Sequence, residues 1–175
     1  MTPPALTIVY TGNGKGKTTA ALGLALRAAA AGKKVAIIQF VKSPAASGEV
    51  RVFKRLKLPV TIEAAGIGFV GIFHDQHTKA EHAAAAKKAL ARAKACLRSY
   101  DVVILDEING AIHGKLITAS SVLALIAAKP RRCTLVLTGR MAPRRLIEKA
   151  DLVTEMKEIK HPYTKGWPAQ PGIDY

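Results

Sequence analysis

Aromatic side chains are scarce: Phe, Tyr and Trp make up 5% of the 175 residues, and tryptophan occurs once. Proteins that hold single-stranded nucleic acid do so largely by stacking bases on aromatic rings, so the shortage counts against that class. Cysteine occurs twice, at Cys96 and Cys133, both in apolar stretches and far apart. Such a pair makes neither a zinc motif nor a disulfide framework, and both read as small core residues. No apolar run approaches the roughly 18 to 20 residues that cross a bilayer. Met1 to Leu6 has no basic or apolar signal-peptide region, which favours a cytoplasmic setting. Acidic residues are few as well, 12 against 27 Lys and Arg, for a net charge of +15. A chain this basic attracts polyanions. Nucleic acid, a phosphorylated ligand and a solvated basic surface all fit that count.

What is present is a core and a rhythm. Apolar residues make up 49% of the chain, much of it alanine. A chain of this length buries roughly 70% of the surface exposed when unfolded, enough to stand without a staple. Short continuous apolar runs, Leu6–Tyr10, Val35–Phe40, Val60–Glu63, Val102–Leu105, Thr134–Leu137 and Leu152–Met156, are separated by helical stretches. Continuous apolar strands alternating with helices signal an α/β fold with a parallel sheet covered on both faces. Thr18–Ala31, almost wholly apolar and followed by Gly32, reads as a buried helix with a glycine stop. Lys79–Arg98 reads as the longest helix. Thr78 and Glu81 form its capping box, and Ala83, Ala86, Leu90, Ala93 and Leu97 its apolar stripe. No linker or repeat divides the chain, so residues 1–175 read as one domain.

Two motifs carry chemistry. Gly12-Asn13-Gly14-Lys15-Gly16-Lys17-Thr18-Thr19 joins the first strand to the first helix. That is the setting of a phosphate-binding loop, in which glycines let backbone N–H groups curl around phosphate oxygens at a helix N-terminus. Lys17 would reach the phosphates and the Thr18 hydroxyl a Mg²⁺ ion. The usual first glycine is replaced by Thr11, and Lys15 adds a cation. Val102-Val103-Ile104-Leu105-Asp106-Glu107 is a buried strand ending in two acids, where parallel sheets meet their ligands. One of Asp106 and Glu107 should hold Mg²⁺, directly or through water. Arg140, in Thr138-Gly139-Arg140, faces the same edge and is suited either to phosphate or to a salt bridge with Asp106 or Glu107. The loop Gly66–Phe73 is apolar, which suits a ligand or partner as well as a fold onto its own core. His74, Asp75, His77 and His82 do not share one helical face and read as polar loop and helix-start residues, not a metal site. No general base for an acceptor hydroxyl is evident.

The phosphate loop, Gln39-Phe40-Val41-Lys42, Leu105-Asp106-Glu107-Ile108-Asn109, Thr138-Gly139-Arg140, Ala150–Met156, Lys160-His161-Pro162-Tyr163 and Ala169–Tyr175 together resemble the ATP:corrinoid adenosyltransferases of cobalamin biosynthesis and salvage. The resemblance implies a RecA-like P-loop fold, a mostly parallel sheet flanked by helices, usually as a homodimer. It implies that cobalt(I) of a reduced corrinoid attacks the 5′ carbon of ATP and that triphosphate leaves. No protein base is then required, which agrees with its absence. ATP would be bound by Gly12, Asn13, Gly14, Lys15, Gly16, Lys17, Thr18, Thr19 and Arg140, with Thr18 and Glu107 on Mg²⁺ and Asp106 as a further candidate. A reductase would supply the electron that makes cobalt(I). Family members ease that step by displacing the lower axial ligand of cobalt(II) with apolar side chains. Phe69 matches one of these, whereas the tryptophan expected two residues later is Gly71, leaving Phe73 as a substitute. Only ten residues precede Thr11, with no room for the N-terminal arm of some members. A cover would come from elsewhere, such as the tail around Trp167, which could also cap the core. A RecA-like nucleic-acid-stimulated ATPase and a small-molecule kinase are the competing readings. Both predict ADP where the adenosyltransferase releases triphosphate.

Overall fold

The structure is a computed structural model that describes residues 4–43, 48–71 and 75–173. Six strands form one all-parallel sheet: β1 (Thr7–Thr11), β2 (Val35–Gln39), β3 (Val60–Ala64), β4 (Val102–Asp106), β5 (Thr134–Thr138) and β6 (Leu152–Glu155), in the spatial order β3-β2-β4-β5-β1-β6. The expected strands are all there, displaced by a residue at some ends. Two helices of one face are α1 (Lys17–Ala30) and α2 (Gly48–Arg55). On the other lie α3 (Lys79–Cys96), α4 (Ile108–His113), α5 (Ala119–Ala127) and α6 (Arg144–Ile147).

The pleat explains why the central strands read as unbroken apolar runs. Successive side chains point to opposite faces, and both faces are covered. Val35, Ile37, Val102 and Ile104 pack with Ala21 and Ala25 of α1 and Phe53 of α2. Ala36, Ile38, Val103 and Leu105 pack with Ala86, Ala89 and Ala93 of α3 and Val122 and Leu125 of α5. The edge strand β6 departs from this pattern. Its residues are all exposed, because only the four-residue α6 connects it to β5.

Three sequence expectations are corrected. α1 is not a buried helix: Ala21, Ala25 and Ala29 face the sheet, while Leu26 is 43% exposed. α3 keeps its expected Thr78–Glu81 capping box and ends at Cys96, but its buried face is His82, Ala86, Ala89, Ala93 and Cys96. Ala83 and Leu90 lie at the margin of that face. Trp167 is 56% exposed and so does not cap the core. No element was expected at α2, where Val50-Arg51-Val52 alternates like a strand.

Candidate active site

The sheet brings the carboxyl ends of β1, β4 and β5 side by side, and the chemistry-bearing residues follow each strand. After β1 the chain turns sharply. Gly12 has φ +93°, and a Cβ placed there would lie 2.3 Å from the Met156 carbonyl oxygen. The Gly14 N–H donates to that same oxygen at 2.7 Å. The phosphate loop is therefore built against the exit of β6, and this contact requires glycine at position 12. Thr11, at the place of the usual first glycine, is the last residue of β1. Its hydroxyl accepts from the Ala142 N–H at 3.2 Å, so extended backbone and a hydroxyl serve there.

α1 begins at Lys17 with Gly16 as its N-cap, without a side-chain cap or an acid in the first turn. No side chain of the helix competes for its terminal N–H groups, which suits an anion. Lys17 is buried, and its Nζ donates to the carbonyls of Gly12 at 2.8 Å and Gly14 at 2.6 Å. Desolvation pushes its pKa down, partly opposed by the charge of Glu107. The lysine thus rests against the carbonyls of the loop itself.

The two acids at the end of β4 have different surroundings. Asp106 is 1% exposed and accepts three side-chain hydrogen bonds. Its Oδ1 accepts from Thr18 Oγ1 at 2.8 Å and Thr138 Oγ1 at 2.7 Å, and its Oδ2 from Gln39 Nε2 at 3.3 Å. Thr138 in turn accepts from the Glu107 N–H at 2.9 Å, which ties β5 to the turn after β4. Glu107 sits in the left-handed region at φ 60° and caps α4. Burial first, and then the neighbouring Asp106 charge, raise its pKa, while Lys17, Arg140 and Lys42 oppose the rise. Arg140 is exposed and lines the same cleft, where its charge bears on Lys17 and Glu107.

The phosphate loop from Gly14 onward, Glu107 and Arg140 open into one cleft of about 1500 Å³. One end is lined by Gly14 to Thr19, Glu107 and Arg140. The rest carries an apolar wall, Leu22 and Leu26 from α1, Val52 and Leu56 from α2, and Ile67 and Phe69 from the loop after β3, interspersed with Lys42, Glu49, Arg51, Asp75 and His77. Small-molecule pockets are commonly 300–1,000 Å³, so this cleft has room for more than a nucleotide. Gly12, Asn13 and Asp106 do not line it. Gly12 and Asp106 stand behind its wall, and Asn13 is exposed on the loop. Phe73 lies outside the described residues. The tail does reach the cleft, but through Pro171, Gly172 and Ile173 rather than Trp167. Sequence reasoning missed the α2 contribution, the roles of Gln39 and Thr138 in fixing Asp106, and the partner of His82. That partner is Asp75, whose Oδ1 and Oδ2 lie 3.1 and 3.0 Å from the His82 Nε2.

The family model described as ATP:corrinoid adenosyltransferase BtuR/CobO/CobP matches residues 4–175. A corrinoid adenosyltransferase of Pseudomonas aeruginosa is 39% identical over 170 residues, 96% of this chain and 82% of that protein. One from Escherichia coli strain K12 is 36% identical over 96% of this chain and 84% of its own length. One from Sinorhizobium is 40% identical over 97% and 80%. Among solved structures, the KaiC-like protein PH0186 of Pyrococcus horikoshii superimposes with a TM-score of 0.53 at 15% identity, covering 90% of this chain and 76% of that one. This last likeness concerns the fold alone.

Proposed function

Since the chain belongs to the ATP:corrinoid adenosyltransferase family, we propose that this cleft holds ATP at the phosphate loop and the corrinoid against its apolar wall. The enzyme transfers the 5′-deoxyadenosyl group of ATP to cobalt(I) of a corrinoid. The cobalt electron pair forms the new Co–C5′ bond. The C5′–O bond breaks, and its electron pair leaves with triphosphate. The observation that carries our reading is the continuity of the cleft, which joins the phosphate loop and Glu107 to the wall of Leu22, Leu26, Val52, Leu56 and Phe69.

The nucleophile is the substrate's own metal, so the protein's tasks are charge stabilisation and alignment. Lys17 turns from the Gly12 and Gly14 carbonyls to the phosphates. The N–H groups opening α1, Lys15 and Arg140 complete the cradle. Asp106 fixes the Thr18 hydroxyl, and thereby directs its lone pairs away from the protein. Thr18 and the cleft-lining, desolvated Glu107 are oxygen donors suited to Mg²⁺, which takes few protein ligands beside phosphate oxygens. When bound, the ion would neutralise charge building on the leaving triphosphate. Phe69 would occupy the lower axial side of cobalt(II) and ease its reduction by an electron-donor reductase. The exposed apolar edge of β6, with Leu152 and Val153, supports assembly as a homodimer. ATP and a strongly reduced substrate suit the cytoplasm.

The test is an anaerobic assay with MgATP and chemically reduced cobinamide, following the corrinoid spectrum and the phosphate products together. An alkylcobalt spectrum with one triphosphate per turnover is expected. ADP with an unchanged corrinoid would overturn the reading.

Glu107→Gln separates the cost of this site from its use. Because the folded protein raises the Glu107 pKa, the native state binds the proton more tightly than the unfolded chain. The stability of the nucleotide-free enzyme therefore falls as pH rises from about the ordinary glutamate range through the raised value. The glutamine variant lacks that loss. Near neutral pH its nucleotide-free form is expected to melt about 2 °C or more higher, with the gain vanishing in acid, while Mg²⁺-dependent activity falls by about 100-fold. A melting difference independent of pH in calorimetric scans would contradict this account.

A further inference from the structure

The loop that carries Phe69 is held at two points. On one side the Gly66 N–H donates to the Gln39 carbonyl at 3.1 Å and the Gly68 N–H to that of Val41 at 3.0 Å, which secures the loop to the end of β2. On the other side the anchor is Asp75. Its Oδ2 accepts from the Gly71 N–H at 2.8 Å and its Oδ1 from the His77 N–H at 3.0 Å. Both oxygens also lie within hydrogen-bond reach of the His82 Nε2, and as a carboxylate only accepts, the Nε2–H is the donor. His82 is 3% exposed in the first turns of α3, a helix packed on the sheet, and the His77 ring stands edge-on to it with centroids 5.9 Å apart. The Asp75 carboxyl is held at a pKa of about 2, first by the Gly71 N–H, then by the His77 N–H and His82. Asp75 and His77 also line the cleft, beyond the phosphate loop, while His82 is buried on α3 behind them.

We propose that the His82–Asp75 pair is a clamp that transmits the rigidity of α3 to Gly71 and so fixes Phe69, two residues away, against the corrinoid. His82 and Asp75 are then positioning residues for the adenosyl transfer, acting through the loop backbone. Gly71 joins this clamp with φ +71°, where a side chain is strained. The position that departs from the family's aromatic pattern thus serves as a backbone anchor. The inference rests on the role given above to Phe69.

The test uses the full chain with His82→Leu, His82→Gln, Asp75→Ala and Phe69→Ala. Glutamine keeps a donor at the place of Nε2, while leucine fills the space without one. Two readouts report on the clamp: amide exchange at Gly71 and His77, and the paramagnetic resonance signature of four-coordinate cobalt(II) when cob(II)alamin binds with MgATP. His82→Leu is expected to speed exchange at both amides by about tenfold and to lose most of the four-coordinate signal. ATP affinity should stay within about twofold, and His82→Gln should restore both readouts. Asp75→Ala removes the His82 bond together with the acceptors of the Gly71 and His77 amides, leaves the side chains of α3 unchanged, and is expected to match or exceed His82→Leu in both readouts, even should the leucine variant fold poorly. Unchanged exchange and signal in Asp75→Ala, with the signal lost in Phe69→Ala, would overturn the clamp and leave the role of Phe69 standing. An unchanged signal in Phe69→Ala would instead overturn that role, and the clamp's part in the reaction with it. Equal loss of ATP affinity and signal in both clamp variants would mean a merely structural pair, and would also overturn the proposal.

Discussion

Lys17→Ala is expected to lower kcat/KM for adenosyl transfer by about 10³-fold, with chemically prepared cobalt(I) and saturating corrinoid. The magnitude follows from where the charge acts. The triphosphate gains negative charge as C5′–O breaks, so an ammonium beside it is worth more in the transition state than in the complex with ATP. Much of the loss should therefore remain at saturating ATP, with kcat falling more than ATP affinity. The protein itself should tolerate the change. Lys17 is already strained by burial, and its two hydrogen bonds go to carbonyls of its own loop. A melting temperature within a few degrees of the parent separates lost chemistry from lost fold. Lys17→Arg is not expected to rescue, because a planar fork does not replace a point charge in a pocket closed by Gly12 and Gly14. Turnover within tenfold of the parent at saturating ATP would remove Lys17 from the reaction.

The second large effect is conditional on the oxidation state supplied. Phe69→Ala is expected to slow turnover by about 30-fold or more when the assay starts from cobalt(II) and an electron donor. From prepared cobalt(I) the loss should stay within about threefold. Phe69 is 46% exposed on the cleft wall, so its removal leaves little cavity in the folded protein. The ring would work by shaping the cobalt environment before the electron arrives, and a substrate already reduced bypasses that step. Equal losses in the two assays would show that the side chain merely binds the corrinoid.

The charged half of the site was legible because its signals are local. The phosphate loop, the acids after β4 and Arg140 each follow an apolar strand, and parallel topology alone gathers strand ends at one edge. The apolar half was less legible for physical reasons. α3 is so rich in alanine that its buried stripe cannot be phased by size, and the reading settled on Ala83 and Leu90 when the helix turns His82 and Ala89 inward. His82 looked like a polar helix-start residue because its partner lies back in the preceding loop, at a spacing that belongs to no helix or strand. α2 alternates like a strand yet packs Phe53 on the sheet and lends Val52 and Leu56 to the cleft. Trp167 drew attention as the chain's one tryptophan, but the smaller Pro171–Ile173 segment reaches the site. Strand order is a matter of long-range pairing, which no local pattern carries.

That order has a consequence for how the protein is made. β1 emerges early from the ribosome, but its neighbours are β5 and β6, pairing Thr7 with Leu135 and Ile8 with Leu152. Met156, the support of the phosphate loop, emerges just after them. At about 5–20 residues per second the first strand waits on the order of ten seconds for either partner. Meanwhile β2, β3 and β4 can pair among themselves. During synthesis the middle strands are therefore the first with their partners at hand, and the nucleotide site is completed last. ATP cannot template the early steps. It captures the enzyme only after the final strand has closed the sheet, so a nascent chain arrested before residue 134 should fail to bind nucleotide even with its entire glycine loop synthesised.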